Sequence, residues 1–249
     1  MRIAVAGGTG AVGRRVVAAL VASGHDAFAL TRSSGHDLTA TDAQPALVSA
    51  LAGCAATIDV TSVATTSSAT STRFFGAVTG NLLAAERAAG VPHHIILSIV
   101  GAVEAPAAYY AGKKLQEDLV MASSGGWSIL RATQFHEFAA QMVEQGRMGP
   151  VQVVPTMRSQ PVAAADVAEV LVEIALGEPR GLDRDLGGPQ EENMADMVRR
   201  YLAATGQKRP VLEVPLPGPW GHALRDGTLL PGATARRASQ TFADWLAAL

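Results

Sequence analysis

The stretch "IAVAGGTGAVGRRVVAAL", residues 3–20, decides how the rest of the chain is read. A short apolar run enters a loop of glycines, and the loop opens into an amphipathic helical pattern. Gly7, Gly10 and Gly13 have the spacing G-x-x-G-x-x-G. The first glycine permits a tight turn, the middle one lets peptide N–H groups approach a pyrophosphate, and the last allows close helix–strand packing. The helix N-terminus adds its partial positive charge where phosphates would lie. Strand, loop and helix in this order predict a dinucleotide site, with Gly7, Thr9, Gly10, Val12 and Gly13 as its contacts.

Outward from this loop, apolar β-rich runs alternate with alanine-rich helical stretches. Strands are expected near 2–6, 26–31, 56–60, 94–99 and 127–130, and helices near 11–23, 43–52, 72–89, 109–123, 164–176, 191–205 and 234–247. The alternation predicts an α/β fold, a Rossmann-type doubly wound parallel sheet covered on both faces. The segment "SSGHDLTATDAQ" offers no apolar run, so a third strand beside the second is expected to be stunted or absent. After about residue 132 the pattern loosens into Pro- and Gly-rich stretches. These are expected to form a small C-terminal substrate lobe, from 132–163 and 189–249, within a single domain spanning 1–249.

With 249 residues, 48% of them hydrophobic, the chain can bury a sizeable core. Its net charge of −2 gives no basic field for nucleic acid or an anionic membrane. No apolar run approaches bilayer-spanning length. The N-terminus enters its glycine loop at once and reads as a first strand, not a signal peptide. Cys54, the single cysteine, reads as a small buried thiol. His93 and His94 lack acidic or cysteine partners at ligand spacing, so no metal is expected. A cytoplasmic protein without nucleic-acid or membrane partners follows as the expectation.

The second strand ends in "TRSS". An acidic residue there would hold ribose hydroxyls. Arg32 stands there instead, among hydroxyl side chains, which suits a 2′-phosphate. NADP(H) is therefore expected in preference to NAD(H), with Asp37 and Leu38 near the adenine. "TIDVTSVATT" and "HHIILSIVGA" are apolar runs ending in small hydroxylic residues, which places Thr61, Ser62 and Ser98 at strand ends, near a cofactor.

The chain has three tyrosines and three lysines, and two of each fall in Tyr109–Lys114. Tyr109 and Lys113 are four apart, on one face of a helix. An ammonium beside a phenol lowers the phenol's pKa, and such a tyrosine can protonate a carbonyl oxygen as hydride reaches carbon. Tyr110 and Lys114 offer the same spacing one residue later.

"GGTGAVG", "GNLLAAERAAGVPHHIILSIVGA", "YYAGKKLQED" and "WSILRATQFHEF" together make the chain resemble an atypical short-chain dehydrogenase/reductase, of the branch that includes NmrA-like and NAD(P)H-binding proteins. The resemblance covers about residues 1–140 and extends weakly toward 190. It implies Tyr109 as proton donor, Lys113 as cofactor clamp and activator, and Ser98 as carbonyl partner. It also favours the Tyr109–Lys113 register, because Glu117 follows one helical turn later.

Arg131 sits at a strand end, where it could pin backbone or face phosphate, and Ala132 follows it where the family often has proline. Phe135, His136 and Phe138 are candidates to line an apolar substrate pocket, and Trp220 reads as part of a lobe loop. A small-molecule substrate, a hydrophobic carbonyl or quinone, completes the expectation; helix 72–89 could mediate a homodimer, as in similar proteins, or equally could simply cover the sheet. The alternative is an NADP-binding redox sensor without turnover. An epimerase is disfavoured here because the C-terminal part reads as too short for a sugar-nucleotide domain.

Overall fold

The computed structural model describes all residues, 1–249, in two compact units. The first comprises residues 1–131 and 167–183, the second 132–166 and 184–249.

In the first unit run β1 (Arg2–Ala6), α1 (Gly13–Ala22), β2 (Asp26–Leu30), α2 (Gln44–Leu51), β3 (Ala56–Asp59), α3 (Ser68–Ala89), β4 (His93–Ile99), α4 (Tyr109–Met121) and β5 (Gly126–Ala132), whose last residue is counted with the second unit. The strands lie in the order β5-β4-β3-β1-β2. β1 runs parallel to both of its neighbours, with Ala6 opposite Leu30 on one side and Asp59 on the other. This is the sheet of a Rossmann-type fold. Ala4 and Ala6 pack with Leu47, Leu51, Val78 and Leu82 from α2 and α3. Ile3 and Val5 point the opposite way and are equally buried. A strand covered on both faces needs a continuous apolar run, which is why "IAVA" shows no alternation.

The chain leaves β1 for β2 on one side, then crosses to β3 on the other. The order therefore reverses between β1 and β3, and a crevice outside the carboxyl ends of these strands is where such sheets take ligands. The expected gap in the sheet is real. Between Leu30 and Gln44 the only regular element is a 3-10 turn, Arg32–Ser34, and β2 is the sheet's edge.

Next in the chain come α5 (Phe138–Gln145), β6 (Arg147–Met148), β7 (Val151–Pro155), β8 (Arg158–Ser159) and α6 (Ala164–Ala175), followed by β9 (Gly181–Leu182), which pairs with β5. The remainder is β10 (Leu186–Gly187), β11 (Glu192–Asn193), α7 (Met194–Ala204), β12 (Val211–Val214), α8 (Gly218–Ala223), β13 (Arg236–Arg237) and α9 (Phe242–Ala247). Within the second unit β6 and β7 form a hairpin extended by β12, β8 pairs with β11, and β10 pairs with β13. Residues 132–163 and 189–249 fall within this unit.

The expected helix over 234–247 is corrected. Residues 236–237 are a strand, and the helix begins only at Phe242. Thr241 accepts from the Asp244 N–H while the Asp244 carboxylate accepts from the Thr241 N–H, a capping box that fixes the start there. Likewise α7 starts at Met194 and not at 191, because the Asn193 side chain takes the N–H groups of Ala195 and Asp196. Trp220 lies in α8. No helix is long and apolar enough to cross a membrane.

Candidate active site

The glycine loop fills the carboxyl end of β1. Gly7 has φ +78°, and a side chain on it would meet the backbone of Val60 and Thr61 at 3.0 Å. Only glycine combines that backbone geometry with that approach. A Cβ on Gly13 would sit 2.2 Å from the Gly7 carbonyl oxygen and 2.7 Å from the Gly8 Cα, so α1 is seated directly on the loop. Gly8, which the motif reading passed over, is as constrained, its Cβ position being 2.5 Å from that of Ala29 on β2. Thr9 and Gly10 are exposed, and the peptide N–H groups of Thr9, Ala11 and Val12 give no hydrogen bond to the chain's own backbone. Unused donors at a helix N-terminus are what an anionic pyrophosphate requires.

At the end of β2, Thr31 caps the turn Arg32–Ser34 through a reciprocal pair with Ser34. Arg32 is exposed there. Asp37 is also exposed, and its carboxylate accepts from both the N–H and the hydroxyl of Thr39, which hold it below the usual carboxylate range. Leu38 is buried, and its carbonyl is held by the Asn81 side chain.

α4 is docked on the first turn of α3. Ser68 accepts from the Ala108 N–H at 2.8 Å, and the Ser71 hydroxyl donates to the Tyr109 carbonyl at 2.7 Å. Ala108 carries φ 52° and ψ −125°, strained for any residue with a Cβ. Ala108→Gly is expected to raise unfolding stability by about 1 kcal/mol, relief of strain exceeding the entropy cost of glycine; urea denaturation of the two proteins measures it.

This docking sets the tyrosine–lysine face. The Tyr109 ring meets Phe75 edge-on, centroids 5.5 Å apart, and its hydroxyl hydrogen-bonds Ser62 Oγ at 3.2 Å. Lys113, buried, donates to the Leu97 carbonyl and to Gln116 Oε1, both at 2.8 Å, and lies 4.2 Å from the centroid of the Phe75 ring. Two hydrogen bonds and a ring face account for the three donors of the ammonium. Burial pushes Lys113 down to about 8, against the pull of Asp59 and Glu117. The expected lowering of the phenol is corrected as well: burial pushes Tyr109 up to about 12, with Ser62 pulling it back and Asp59 adding to the rise. In the other register Tyr110 is buried, whereas Lys114 is half-buried and pairs with Asp118 at 2.6 Å.

Beneath this face lie two buried polar chains that the sequence reading missed. Asp59 accepts from the Thr61 N–H and from Gln116 Nε2, both at 2.8 Å, and so links β3 to Lys113 through Gln116. Glu117, fully buried, accepts from Ser98 Oγ at 2.5 Å and from Arg131 at 2.6 Å. A carboxylate in such a place needs its counter-charge, and this pairing is the role of Arg131 that the structure shows. Ser98 has its proton committed to Glu117. The readable signal was Asp59, a charge at the end of a short, otherwise uncharged strand.

In the second unit His136 is fully buried. Its Nε2 faces the Gln240 carbonyl at 3.2 Å and its ring lies 5.7 Å from Phe242 and 6.0 Å from Trp245. The side chain is used in packing that unit. Phe135 and Phe138 are half-buried. His93 bonds Ser128 and His94 bonds Glu86, and no three His, Cys, Asp or Glu side chains gather as metal ligands.

A family model described as NAD(P)H-binding matches residues 7–178, well over half the chain. The chain belongs to the NAD(P)H-binding family. The matched span takes in the glycine loop, Arg32, Ser62 and the whole of α4. No curated protein matches this NAD(P)H-binding chain. Among solved structures, it is similar to a nucleoside-diphosphate-sugar epimerase from Staphylococcus aureus, with TM-score 0.73 and 16% identity over 99% of both chains. It is similar to the Escherichia coli NADPH-dependent quinone oxidoreductase QOR2 complexed with NADPH, with TM-score 0.72 and 18% identity over 99% of both. A UDP-glucose 4-epimerase from Thermus thermophilus in complex with NAD follows at TM-score 0.67 and 19% identity, over 85% of this chain and 86% of that one. These likenesses establish the shared fold.

Proposed function

We propose that this NAD(P)H-binding protein is an oxidoreductase that uses NADPH to reduce a hydrophobic carbonyl or quinone, with Tyr109 as the proton donor. The observation that carries the reading is the position of the Tyr109 hydroxyl, 3.2 Å from Ser62 on the loop leaving β3, the strand beside the glycine loop. This position supports Tyr109 as the proton donor, beside the crevice where the dinucleotide would lie. When bound, the cofactor supplies hydride. The chain's own part is to bind the pyrophosphate at Gly7–Gly13, hold a 2′-phosphate at Arg32, and deliver a proton from Tyr109 to the developing oxyanion. Asp37, Leu38 and Thr61 are assigned to the cofactor's adenine and nicotinamide surroundings. Phe135 and Phe138 are assigned to apolar contact with substrate. Lys113 serves as ribose clamp only by exchanging its bond to Gln116 for one to the ribose, and Ser98 as carbonyl partner only by leaving Glu117. The QOR2 likeness supports a quinone among the first acceptors to test.

The test is NADPH oxidation followed by absorbance over quinones, aldehydes and aromatic ketones. Turnover with at least one class is expected, and binding without turnover on every acceptor counts against the reading. For the cofactor choice, Arg32→Ala is expected to weaken NADPH binding about tenfold to a hundredfold, the loss of a charge-assisted contact. NADH binding should be unchanged, and fluorescence titration of both cofactors measures the contrast.

One observation favours a second reading, an NADP-binding redox sensor. All three donors of Lys113 are engaged inside the fold, as a structural lysine's would be. A sensor shows unequal affinity for oxidised and reduced cofactor and turns over no acceptor. Length does not argue against an epimerase, since a chain described as one matches along 99% of both lengths. NADPH consumption separates the reductase from both, because a sensor turns over no acceptor and an epimerase returns its cofactor unchanged.

A further inference from the structure

Resting on the reductase reading, we infer that Ser62 is the catalytic partner of Tyr109, orienting its phenol and returning a proton to it after each transfer. Four observations converge on this assignment. The hydroxyl of Tyr109 has its hydrogen bond to Ser62 Oγ, at 3.2 Å. Ser62 is exposed, so its hydroxyl exchanges protons with solvent, whereas the tyrosine ring is wedged against Phe75. The base of the loop that carries Ser62 is hydrogen-bonded to the helix that bears Tyr109. The N–H of the preceding residue, Thr61, is tied to Asp59 Oδ1, and Asp59 is tied in turn to Gln116 of α4, the helix that bears Tyr109. Finally, the two other polar groups expected to serve the tyrosine are occupied. Ser98 donates to Glu117, which Arg131 neutralises, and Lys113 is spent on Leu97, Gln116 and Phe75.

Electrostatics agrees with the geometry. Burial drives the Tyr109 phenol up to about 12, and the bond from Ser62 is the influence that favours its ionised form. The phenolate left after proton transfer is therefore strongly basic, and the neighbour that already touches it is placed to return a proton.

The step balances without further reagents. The Tyr109 O–H bond breaks and its proton goes to the acceptor oxygen, while the electron pair stays on the phenol oxygen. The Ser62 O–H bond then breaks toward that oxygen, and Ser62 recovers a proton from water. Each hydride taken from reduced nicotinamide dinucleotide thus draws one proton from solvent through Ser62.

The test compares wild type, Ser62→Ala and Ser62→Thr with two readouts. In the first, fluorotyrosine is incorporated in the protein without cofactor, which brings phenol ionisation into a range where the fold survives. ¹⁹F NMR then follows the Tyr109 resonance, assigned by its absence in Tyr109→Phe. Loss of the Ser62 hydroxyl should raise that titration by about one unit, the worth of a hydrogen bond to a charged group, and Ser62→Thr should restore it. In the second readout, with NADPH and an acceptor the wild type reduces, Ser62→Ala should lower kcat about tenfold to a hundredfold. Its KM for acceptor and Kd for NADPH should stay within about twofold.

An unshifted titration in Ser62→Ala overturns the inference. So does an unchanged kcat with weakened NADPH binding, which would make Ser62 a cofactor contact only. A shifted titration in a protein that turns over no acceptor overturns the reductase reading and the relay with it, leaving only the hydrogen bond.

Discussion

Tyr109→Phe is expected to lower NADPH-driven turnover by roughly 10²- to 10⁴-fold, the usual span for loss of a positioned general acid. NADPH affinity should remain within about twofold. The change removes one oxygen and leaves the ring edge-on to Phe75, so the docking of α4 on α3 is preserved. The two bonds that hold the helix start involve the Ala108 N–H and the Tyr109 carbonyl, neither of which the change touches. The loss should therefore appear in kcat and not in stability, and steady-state kinetics with thermal melts reads both. The sensor reading predicts the opposite: no turnover to lose, and binding unaffected.

Gly13→Ala is expected to abolish dinucleotide binding and to cost roughly 3 kcal/mol or more of stability, the upper range for overpacking where backbone must move. The added methyl would stand 2.2 Å from the Gly7 oxygen and 2.7 Å from the Gly8 Cα. Both are backbone atoms, so no side-chain rotation relieves the clash. α1 must lift off β1, or the loop must move from the crevice between β1 and β3. Gly10→Ala is the contrast, because its nearest neighbour would lie at 3.3 Å and the site is exposed. Urea denaturation and NADPH titration of the two variants should separate a collapsed loop from one that is only crowded.

These two residues illustrate how far the sequence could be read. Gly13 was legible because its constraint is local: a strand, a loop and a helix within twenty residues state their own geometry. Tyr109 was legible as one face of a helix. What surrounds it was not. The partners of Lys113 come from β4, from α3 and from its own helix, and Gln116 leads on to Asp59 on β3. Ser62 and Ser98 looked alike as hydroxyls after apolar strands. The ion pair of Glu117 with Arg131 tells them apart, by taking the hydroxyl proton of Ser98. In the second unit the strands β6, β8, β10, β11 and β13 are two residues long. No alternation can show in two residues, so this part read only as a lobe. The late start of α9 could have been read from Thr241 and Asp244, since a capping box is a local signal.

The central claim is that reduced dinucleotide in this crevice gives hydride to an acceptor while Tyr109 supplies the proton. NADPH carrying deuterium at the transferring carbon tests it most directly, with the product examined by mass spectrometry. The account predicts that an acceptor found among quinones, aldehydes or aromatic ketones gains one deuterium from the cofactor with wild type, and that Tyr109→Phe forms labelled product at no more than about a hundredth of that rate. Label transferred at an undiminished rate by Tyr109→Phe, or NADPH bound with no label passed to any acceptor, would contradict it.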